Sequence, residues 1–286
     1  VEAVLEYAKN KNLFFLTADL GFGSFDKLEK KLGKNYINVG VCEQNMVNIA
    51  SGISLSDKNA KVIIYSIGNF PTLRCLEQIR NNICYHKLKV LIVTNGIGFS
   101  YGQLGMSHHA TEDFGVMRSL PYLEILSPCS DLDSYQLTLE WLTNGSLPSY
   151  LRLDKSKYKN NLPSINHSES YRIINGRKND KEILEIYHGG IASLLNNRTI
   201  ENDSCLFYKV PKGTLNYLVD LLDQYKKIFV FEEQNQDAGF GQYVAWHCTK
   251  GKNKKELIVK CIPNILPSFV GDQLYMRNKL DIRKDD

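Results

Sequence analysis

Short apolar runs alternate with helical patterns through the first half of the chain. The runs typical of strands cover residues 13–17, 36–41, 61–65, 90–94, 123–126 and 150–153. Helical patterns lie between them, at residues 25–32, 44–55, 72–85, 111–119 and 131–142. Consecutive parallel strands need a long crossover connection, which is usually a helix. The alternation therefore predicts an α/β fold with a mostly parallel sheet, covered by helices on both faces.

A second, shorter alternation follows a break in this pattern. Residues 154–170 lack periodicity and are rich in Lys, Asn and Ser, as in a linker. Strand-like runs then occur at 183–187, 205–209, 228–232 and 257–261, with helical patterns at 214–224 and 241–249. We predict a first domain over residues 1–155, a linker over 156–170 and a second, smaller α/β domain over 171–286. The polar residues 263–286 are expected to run over the surface.

The composition excludes several classes of protein. The chain has 286 residues, of which 43% are hydrophobic and 23% charged, as in soluble globular proteins. A net charge of +4 is too small to indicate a nucleic-acid partner. The seven cysteines are scattered and never spaced C-x-x-C, which favours reduced thiols over disulfides or a zinc site. Reduced thiols indicate a cytoplasmic protein, and since no apolar stretch approaches membrane-spanning length we expect no membrane partner.

The block YINVGVCEQNMVNIASG, residues 36–52, places Glu43 where a predicted strand passes into a helix. The neighbouring Val39, Val41, Met46 and Val47 are apolar, and burial among such side chains favours the protonated carboxyl group. Ligands of open α/β sheets bind at this end of the strands. The alternative is that Glu43 only caps the helix by accepting hydrogen bonds from its free N–H groups.

Six segments, taken in order, resemble the C-terminal half of transketolase. They are TADLGFG, INVGVCEQNM, YSIGNFPTLRCLEQIRNNICYH, FSYGQLGMSHHATED, MRSLPYLEILSP and SYLRL. The resemblance is closer to the separate C-terminal subunit found where transketolase is split into two chains. It is strong over the first half of the chain, whereas the second domain matches only in the order of its elements. Several motifs in a fixed order are far more specific than a single short pattern.

The resemblance implies a pyrimidine-binding domain of the thiamine diphosphate enzymes. Glu43 matches the glutamate that bonds the pyrimidine ring of thiamine diphosphate and activates the cofactor. Phe70 matches the aromatic residue that packs on this ring, with Tyr65 nearby; the alternative for Phe70 is an ordinary core position. Asp19 and Leu20 match residues that border the thiazolium ring, although a strand-end Asp also commonly caps a turn.

The resemblance also implies residues that bind the sugar substrate. His108 matches the histidine that bonds the sugar and moves protons, so it is predicted to be catalytic with Glu43, while His109 supports the loop or contacts the substrate. Arg152 matches an arginine that holds the substrate phosphate. Arg74 matches a second arginine on the phosphate side in the related deoxyxylulose-phosphate synthases. Guanidinium groups suit phosphate because they pair two of its oxygens at once. A salt bridge on the helix surface is the alternative role for Arg74.

Two kinds of departure from the family pattern matter. Leu104 and Gly96 stand where many full-length transketolases carry an Asp and a His that read sugar hydroxyls, so the sugar preference is expected to differ. The chain also lacks the G-D-G pattern that binds Mg²⁺ and the cofactor's diphosphate. We therefore predict no metal ligands in this chain and an N-terminal partner subunit that supplies them. The resemblance implies a dimer of such heterodimers, which is a heterotetramer.

The leading functional prediction is transfer of a two-carbon ketol unit from a ketose or ketose phosphate to an aldose, with activity only alongside the N-terminal subunit. Two enzyme alternatives stay open: a subunit like deoxyxylulose-phosphate synthase, and one like the beta subunit of a 2-oxo acid dehydrogenase. An assembly paralogue without catalysis is the alternative outside enzymes. The sequence names neither the donor nor the acceptor sugar.

Overall fold

A computed structural model describes residues 1–9, 12–159, 162–166, 168–178 and 180–282. Two sheets, of seven and five strands, organise these residues. This arrangement confirms the predicted α/β fold with a mostly parallel sheet and a second α/β unit. Within the described ranges, no helix is both long and apolar enough to cross a membrane.

The first sheet is built almost entirely from the first half of the chain. Its strands are β1 (Leu13–Thr17), β2 (Tyr36–Asn38), β3 (Lys61–Ile67), β4 (Val90–Asn95), β5 (Glu124–Leu126), β6 (Ser149–Leu153) and the later β10 (Lys209–Val210). The spatial order is β10-β5-β6-β4-β3-β1-β2. Every neighbouring pair is parallel except β10, which runs antiparallel to β5. The carboxyl ends of β1 to β4 therefore meet at one edge of the sheet.

Helices connect these strands, as the periodicity predicts, and a further helix that the periodicity does not predict precedes β1. They are α1 (Glu2–Tyr7), α2 (Asp26–Leu32), α3 (Glu43–Ser56), α4 (Leu76–Gln78), α5 (Asp113–Ser119) and α6 (Asp131–Asn144). Buried strand residues such as Leu16, Ile64 and Ile92 lie side by side in register and contact the buried face of α3 through Met46 and Val47. This core fixes where each strand ends, and so where the loops at the carboxyl edge begin.

The predicted helix over residues 72–85 is instead a composite of three helical forms. A 3₁₀ turn, Leu73–Cys75, leads into the single α turn α4, and a π-helix follows at Ile79–Cys84. The N–H of Tyr85 accordingly bonds the carbonyl of Arg80, five residues earlier. Short π segments inside helices occur frequently at functional sites. Here the irregular helix follows directly on the loop that carries Phe70.

The second sheet contains the remaining strands. They are β7 (Tyr171–Ile174), β8 (Ile183–His188), β9 (Asp203–Phe207), β11 (Lys227–Asn235) and β12 (Glu256–Ile262). The order is β12-β11-β8-β9-β7, parallel apart from β7 against β9. Helices α7 (Asn216–Leu222), α8 (Phe240–Cys248) and α9 (Gln273–Lys279) complete this half.

The predicted domain limits stay a prediction, and the junction is more intimate than a linker suggests. Strand β10 follows the second sheet's β9 yet adds to the first sheet. Tyr158 and Ile165, from the segment predicted to be a linker, are buried. Their burial has a simple cause, since they are large apolar side chains in an otherwise polar stretch. Residues 160, 161 and 167 of the predicted linker lie outside the described residues.

The expectation that residues 263–286 run over the surface is wrong in part. Helix α9 buries Met276 and Arg277, and the glycine-rich loop after β4 packs against it. A Cβ atom on Gly102 of that loop would come within 3.0 Å of Met276 and 2.5 Å of the Gly271 carbonyl. The sequence pattern misses α9 because its buried face consists of one Met and one Arg. Residues 283–286 lie outside the described residues.

Candidate active site

The loop after β1 forms a tight turn around Asp19. Asp19 has a left-handed backbone conformation, with φ of 57°. Its N–H donates to Asn38 Oδ1 at 3.0 Å, and Asn38 Nδ2 donates back to Asp19 Oδ1 at 2.9 Å. The Thr17 hydroxyl donates to the carbonyl of Leu20. These bonds match the alternative role of Asp19 in a turn, and they place both residues at the carboxyl edge.

Glu43 is the first residue of α3, and its side chain is only 2% exposed. Met46 and Val47 pack beneath it in the core, but Val41 is 71% exposed and covers nothing. The carboxylate accepts a hydrogen bond from Arg74 Nη1 at 2.6 Å. The expected shell of apolar side chains is therefore corrected: a guanidinium group faces this carboxylate. Burial makes such a partner necessary, because a buried charge without one is costly.

Arg74 contacts Phe70 as well as Glu43. The centre of its guanidinium group lies over the Phe70 ring, 4.5 Å from the ring centroid, in a cation–π contact. Gln44 donates to the backbone carbonyl of Arg74 at 2.9 Å. Arg74 does form a salt bridge, as the alternative role predicts. Its partner is the buried Glu43 carboxylate at the start of α3, however, and not a neighbour along the helix surface. Phe70 is half-buried, unlike an ordinary core residue.

His108 lies next to Phe70, at the end of a row of side chains that begins with Glu43 and Arg74. Its ring meets the Phe70 ring edge-on at a centroid distance of 5.3 Å. The Ser107 hydroxyl lies 3.0 Å from His108 Nδ1, and the ring is half-buried. The structure thus brings together Glu43, Arg74, Phe70 and His108, although they come from three loops that the sequence separates by up to 65 residues.

His109 points away from this row. It is buried, and its Nε2 lies 3.3 Å from the Gly102 carbonyl, while its ring meets Phe99 edge-on. Burial lowers the pKa of His109, and the bond to the Gly102 carbonyl opposes that shift. The substrate contact predicted for His109 is corrected: its side chain supports the loop from within, which is the other role that the sequence suggests.

Tyr65 also lies elsewhere. Its ring packs edge-on against Phe25 at 4.7 Å and near Phe15, in the core on one face of the first sheet. Burial raises the pKa of the Tyr65 hydroxyl, which shares a hydrogen bond with Asn95. Successive strand residues point to opposite faces of a sheet, so Tyr65 at this register turns inward. Tyr65 is thus partly buried beside the core and is not in the group formed by Glu43, Arg74, Phe70 and His108, and its cofactor contact stays a prediction.

Arg152 is the largest correction. Its side chain has 0% exposure, and its Nε and Nη2 bond the two carboxylate oxygens of Asp113 at 2.6 and 3.0 Å. Nη1 also lies 3.3 Å from the Ser127 hydroxyl. A guanidinium group held in this fork cannot reach a phosphate in solvent. The sequence motif YLRL predicts an arginine at a strand end, but it does not reveal the buried partner on α5.

A buried polar network between the two sheets is missed by sequence reasoning. Glu233, near the end of β11, accepts a bond from the Phe99 N–H at 2.9 Å and pairs with Arg277 of α9. Gln273 bridges Glu233 and Asp154. The available signal is the run FEEQN, in which two acidic residues end an otherwise apolar strand. The network fixes the start of the loop that leads to His108.

Among the residues that the structure describes, no group of three or more His, Cys, Asp or Glu side chains is placed to hold a metal ion. The Mg²⁺ site predicted for a partner subunit stays a prediction. The residues at the carboxyl edge do fit a flat nitrogen heterocycle. They offer a buried carboxylate beside a half-buried aromatic ring, and a planar N–H donor, the Arg74 guanidinium, already contacts both.

An open, mostly parallel sheet with such a carboxylate at its carboxyl edge defines the class: an α/β protein whose ligand site lies at the strand ends. The family described as "Transketolase, pyrimidine binding domain" matches residues 3–161. The chain belongs to the transketolase family, and membership implies dependence on thiamine diphosphate.

Individual relatives agree with this assignment. The chain is 27% identical to one subunit of an apulose-4-phosphate transketolase from Actinobacillus succinogenes, over 76% of its length and 70% of that protein. It is 25% identical to the protein of the same name from Phocaeicola vulgatus, over 85% of the chain and 80% of the relative. The fold matches a solved structure titled "Split gene transketolase, inactive beta4 tetramer" with a TM-score of 0.80, 20% identity, and coverage of 99% of this chain and 91% of that one. Together these matches support the assignment of this chain as the C-terminal subunit of a split transketolase.

Proposed function

We propose that this chain supplies the pyrimidine-side half of an active site that transfers a two-carbon ketol unit from a ketose or ketose phosphate to an aldose. The observation that carries the proposal is the buried Glu43 carboxylate beside Phe70, with His108 next in the row. When bound, thiamine diphosphate would supply the electron-accepting group that such a transfer requires. The protein's own share is to bind, to orient and to place protons.

Glu43 and Phe70 would hold the aminopyrimidine ring. The Glu43 side chain is 2% exposed, so it would meet a ring nitrogen with little competition from water, and a hydrogen bond between them would be strengthened. The face of Phe70 offers apolar area that orients a flat heteroaromatic ring. Asp19 and Leu20 stand at the same sheet edge and are the proposed neighbours of the thiazolium ring.

His108 is the proposed proton carrier on the substrate side. Its Nδ1 faces the Ser107 hydroxyl, which leaves Nε2 to bond a sugar carbonyl or hydroxyl oxygen. Histidine suits this role because its ordinary pKa lies near neutrality. Arg152 is not part of the proposal, since Asp113 and Ser127 occupy its guanidinium group.

The loop around Gly96 supports a sugar preference unlike that of the full-length enzymes. Gly96 has φ of 90°, and a Cβ atom there would lie 1.9 Å from the Tyr101 ring. A histidine could enter only if Tyr101 moved. Leu104 is 56% exposed and presents an apolar side chain where the family pattern has a carboxylate. We infer that this chain contacts fewer sugar hydroxyls than the full-length enzymes do.

An N-terminal partner subunit is part of the proposal. It would supply the Mg²⁺ ligands and the diphosphate site, and two such pairs would form a heterotetramer. Support comes from the lack of a G-D-G motif in this chain and from relatives that are themselves named as single subunits of a transketolase.

A calorimetric titration tests the proposal. Thiamine diphosphate with Mg²⁺ is titrated into this chain alone, into the chain mixed with its candidate N-terminal subunit, and into the same mixture carrying Glu43→Gln. We expect tight binding only in the unmodified mixture, followed by turnover of a ketose donor. Tight binding and full activity of the chain alone would contradict a shared site. Unchanged activity of Glu43→Gln would contradict the role of Glu43.

A further inference from the structure

We propose that Arg74 is an internal occupant of the pyrimidine site, which the cofactor ring must displace in order to bind. This inference rests on the proposed function, in which Glu43 and Phe70 hold the ring. It concerns a different property of the site: what fills it in the free chain. The consequence is that the free chain has a lower affinity for the ring than its carboxylate and aromatic face alone would give.

The contacts of Arg74 are those that a flat nitrogen heterocycle would make. Its Nη1 donates to Glu43 Oε2 at 2.6 Å, and its guanidinium carbon lies over the Phe70 ring at 4.5 Å from the centroid. A guanidinium group is planar, carries N–H donors at its edge and stacks on aromatic faces. One side chain of the protein therefore occupies both the hydrogen-bond acceptor and the aromatic surface of the proposed site.

Charge explains why the free chain needs this occupant. Glu43 is 2% exposed, and an ionised carboxylate buried to that degree is strongly unfavourable without a partner. Arg74 is the cation that the structure places against it. A protonated ring nitrogen, or a neutral ring sharing one proton with the carboxyl group, would satisfy the same oxygen. A neutral ring nitrogen has no proton to donate, so the exchange takes up one proton from solvent, which the carboxylate and the ring nitrogen then share. One hydrogen bond thus replaces another, and no buried charge is left unpaired.

The geometry also allows Arg74 to leave. Its side chain is 45% exposed, so water can solvate the guanidinium group after it moves. The backbone at Arg74 is held separately, because the Gln44 side chain bonds its carbonyl at 2.9 Å. Only the side chain has to rotate, and the loop that carries Phe70 stays in place. Arg74 is thus anchored at the backbone, while its side chain can rotate into solvent once its contacts with Glu43 and Phe70 are replaced.

A second role for Arg74 predicts the opposite result. If the guanidinium group served to orient Glu43 for the ring, its removal would weaken binding. If instead it occupies the site, its removal strengthens binding. Whether removal of the Arg74 side chain raises or lowers the affinity for the ring therefore distinguishes the two roles.

The test uses an uncharged probe, the hydroxymethyl-aminopyrimidine half of thiamine, which carries neither the diphosphate nor the thiazolium charge. Binding to the full chain is followed by ligand-observed NMR for the wild type, Arg74→Ala, Arg80→Ala and Glu43→Gln. Arg80 is the matched control: it is an exposed arginine of the same composite helix, and its side chain donates to the neighbouring Asn81. Thermal unfolding confirms that each variant is folded.

We expect Arg74→Ala to lower the Kd of the probe about fivefold, which is less than the tenfold expected for a fully buried charged hydrogen bond because Arg74 is half exposed. Arg80→Ala should leave the Kd unchanged. In the wild type, saturation with the probe should shift the side-chain N–H signal of Arg74 and not that of Arg80, a result that requires no substitution. An unchanged or raised Kd in Arg74→Ala, or an unmoved Arg74 signal at saturation, overturns the inference.

Glu43→Gln separates this inference from the proposed function. If Glu43→Gln binds the probe as tightly as Arg74→Ala does, Glu43 does not hold the ring and the proposed function fails. If Glu43→Gln abolishes binding while Arg74→Ala gains nothing, the proposed function stands and the occupant role falls. Absence of binding to both the wild type and Arg74→Ala overturns the occupant role, because removal of Arg74 should open the site. It does not contradict the proposed function, which expects tight cofactor binding only with the partner subunit and is tested by the calorimetric titration.

Discussion

At the scale of single residues, burial decides which arginine can meet a ligand. Arg74 and Arg152 are both matched by the family pattern to a phosphate, yet one is 45% exposed and the other has no exposure. A sequence gives the residue type and its place at a strand end, but it does not give the partner across the fold. For Arg152 that partner is Asp113, 39 positions away.

Replacing Arg152 should therefore affect stability before it affects substrate binding. We expect Arg152→Ala to lower the free energy of unfolding by about 3–5 kcal/mol, because it leaves the buried Asp113 carboxylate without its cation and with the Tyr150 hydroxyl as a remaining donor. Equilibrium denaturation in urea measures the change. The double variant Arg152→Met with Asp113→Leu, which removes both charges, should recover most of the loss. A loss of substrate affinity with unchanged stability would restore the substrate role of Arg152.

At the scale of elements, most strands and helices were predictable, whereas α1, β7, α9 and the functional loops were not. Strand β1 has the predicted bounds, and β3, β4 and β6 extend the predicted runs by only one or two residues, because buried β-branched and leucine residues set the pattern. The composite helix after Phe70 and the turn at Asp19 depend on backbone geometry that no apolar periodicity records. The row of side chains from Glu43 to His108 could be foreseen only through the family resemblance.

The loop between β4 and α5 provides a test of that backbone geometry. Gly96 and Gly23 both have positive φ, but a Cβ atom on Gly96 would collide with Tyr101, whereas one on Gly23 would meet nothing within 4 Å. We expect Gly23→Ala to lower the free energy of unfolding by about 1 kcal/mol, from backbone strain alone. Gly96→Ala should lower it by about 2–4 kcal/mol, since overpacking adds to the strain. Equal losses in urea denaturation would show that Tyr101 moves aside freely.

At the scale of the whole molecule, buried polar groups connect the two sheets. Glu232 of β11 accepts bonds from the N–H groups of Phe240 and Gly241, which begin α8. Gln234, with its amide oriented to satisfy both neighbours, donates to Glu232 and accepts from Arg152 of the first sheet. One polar chain therefore runs from the helix start of the second unit to the strand end of the first. The sequence analysis predicts two domains joined by a linker, and it does not anticipate these contacts between them.

Glu232 should make stability depend on pH. Burial raises its pKa to about 8, against an ordinary value of 4.5 that applies after unfolding. Between these values the folded chain holds a proton that the unfolded chain releases, so the contribution of Glu232 is complete below pH 4.5 and is lost as the pH rises to 8. The free energy of unfolding should thus fall by up to about 1.4 kcal/mol per pH unit from this group.

The comparison with Glu232→Gln isolates this effect from other titrating groups. The buried His109 and His188 have lowered pKa values because of burial, so they act in the opposite direction below their ordinary value of 6.5. In denaturation at about pH 6.5, 7 and 7.5 the histidines titrate in both proteins, so their influence cancels in the difference. Glutamine keeps one of the two oxygens that accept from the α8 N–H groups. We expect the unfolding free energy of the wild type, relative to that of Glu232→Gln, to fall steadily as the pH rises. A difference that stays constant over this interval would mean that Glu232 is already ionised in the folded chain, and that the junction between the sheets contains a buried charge paired through Gln234 with Arg152.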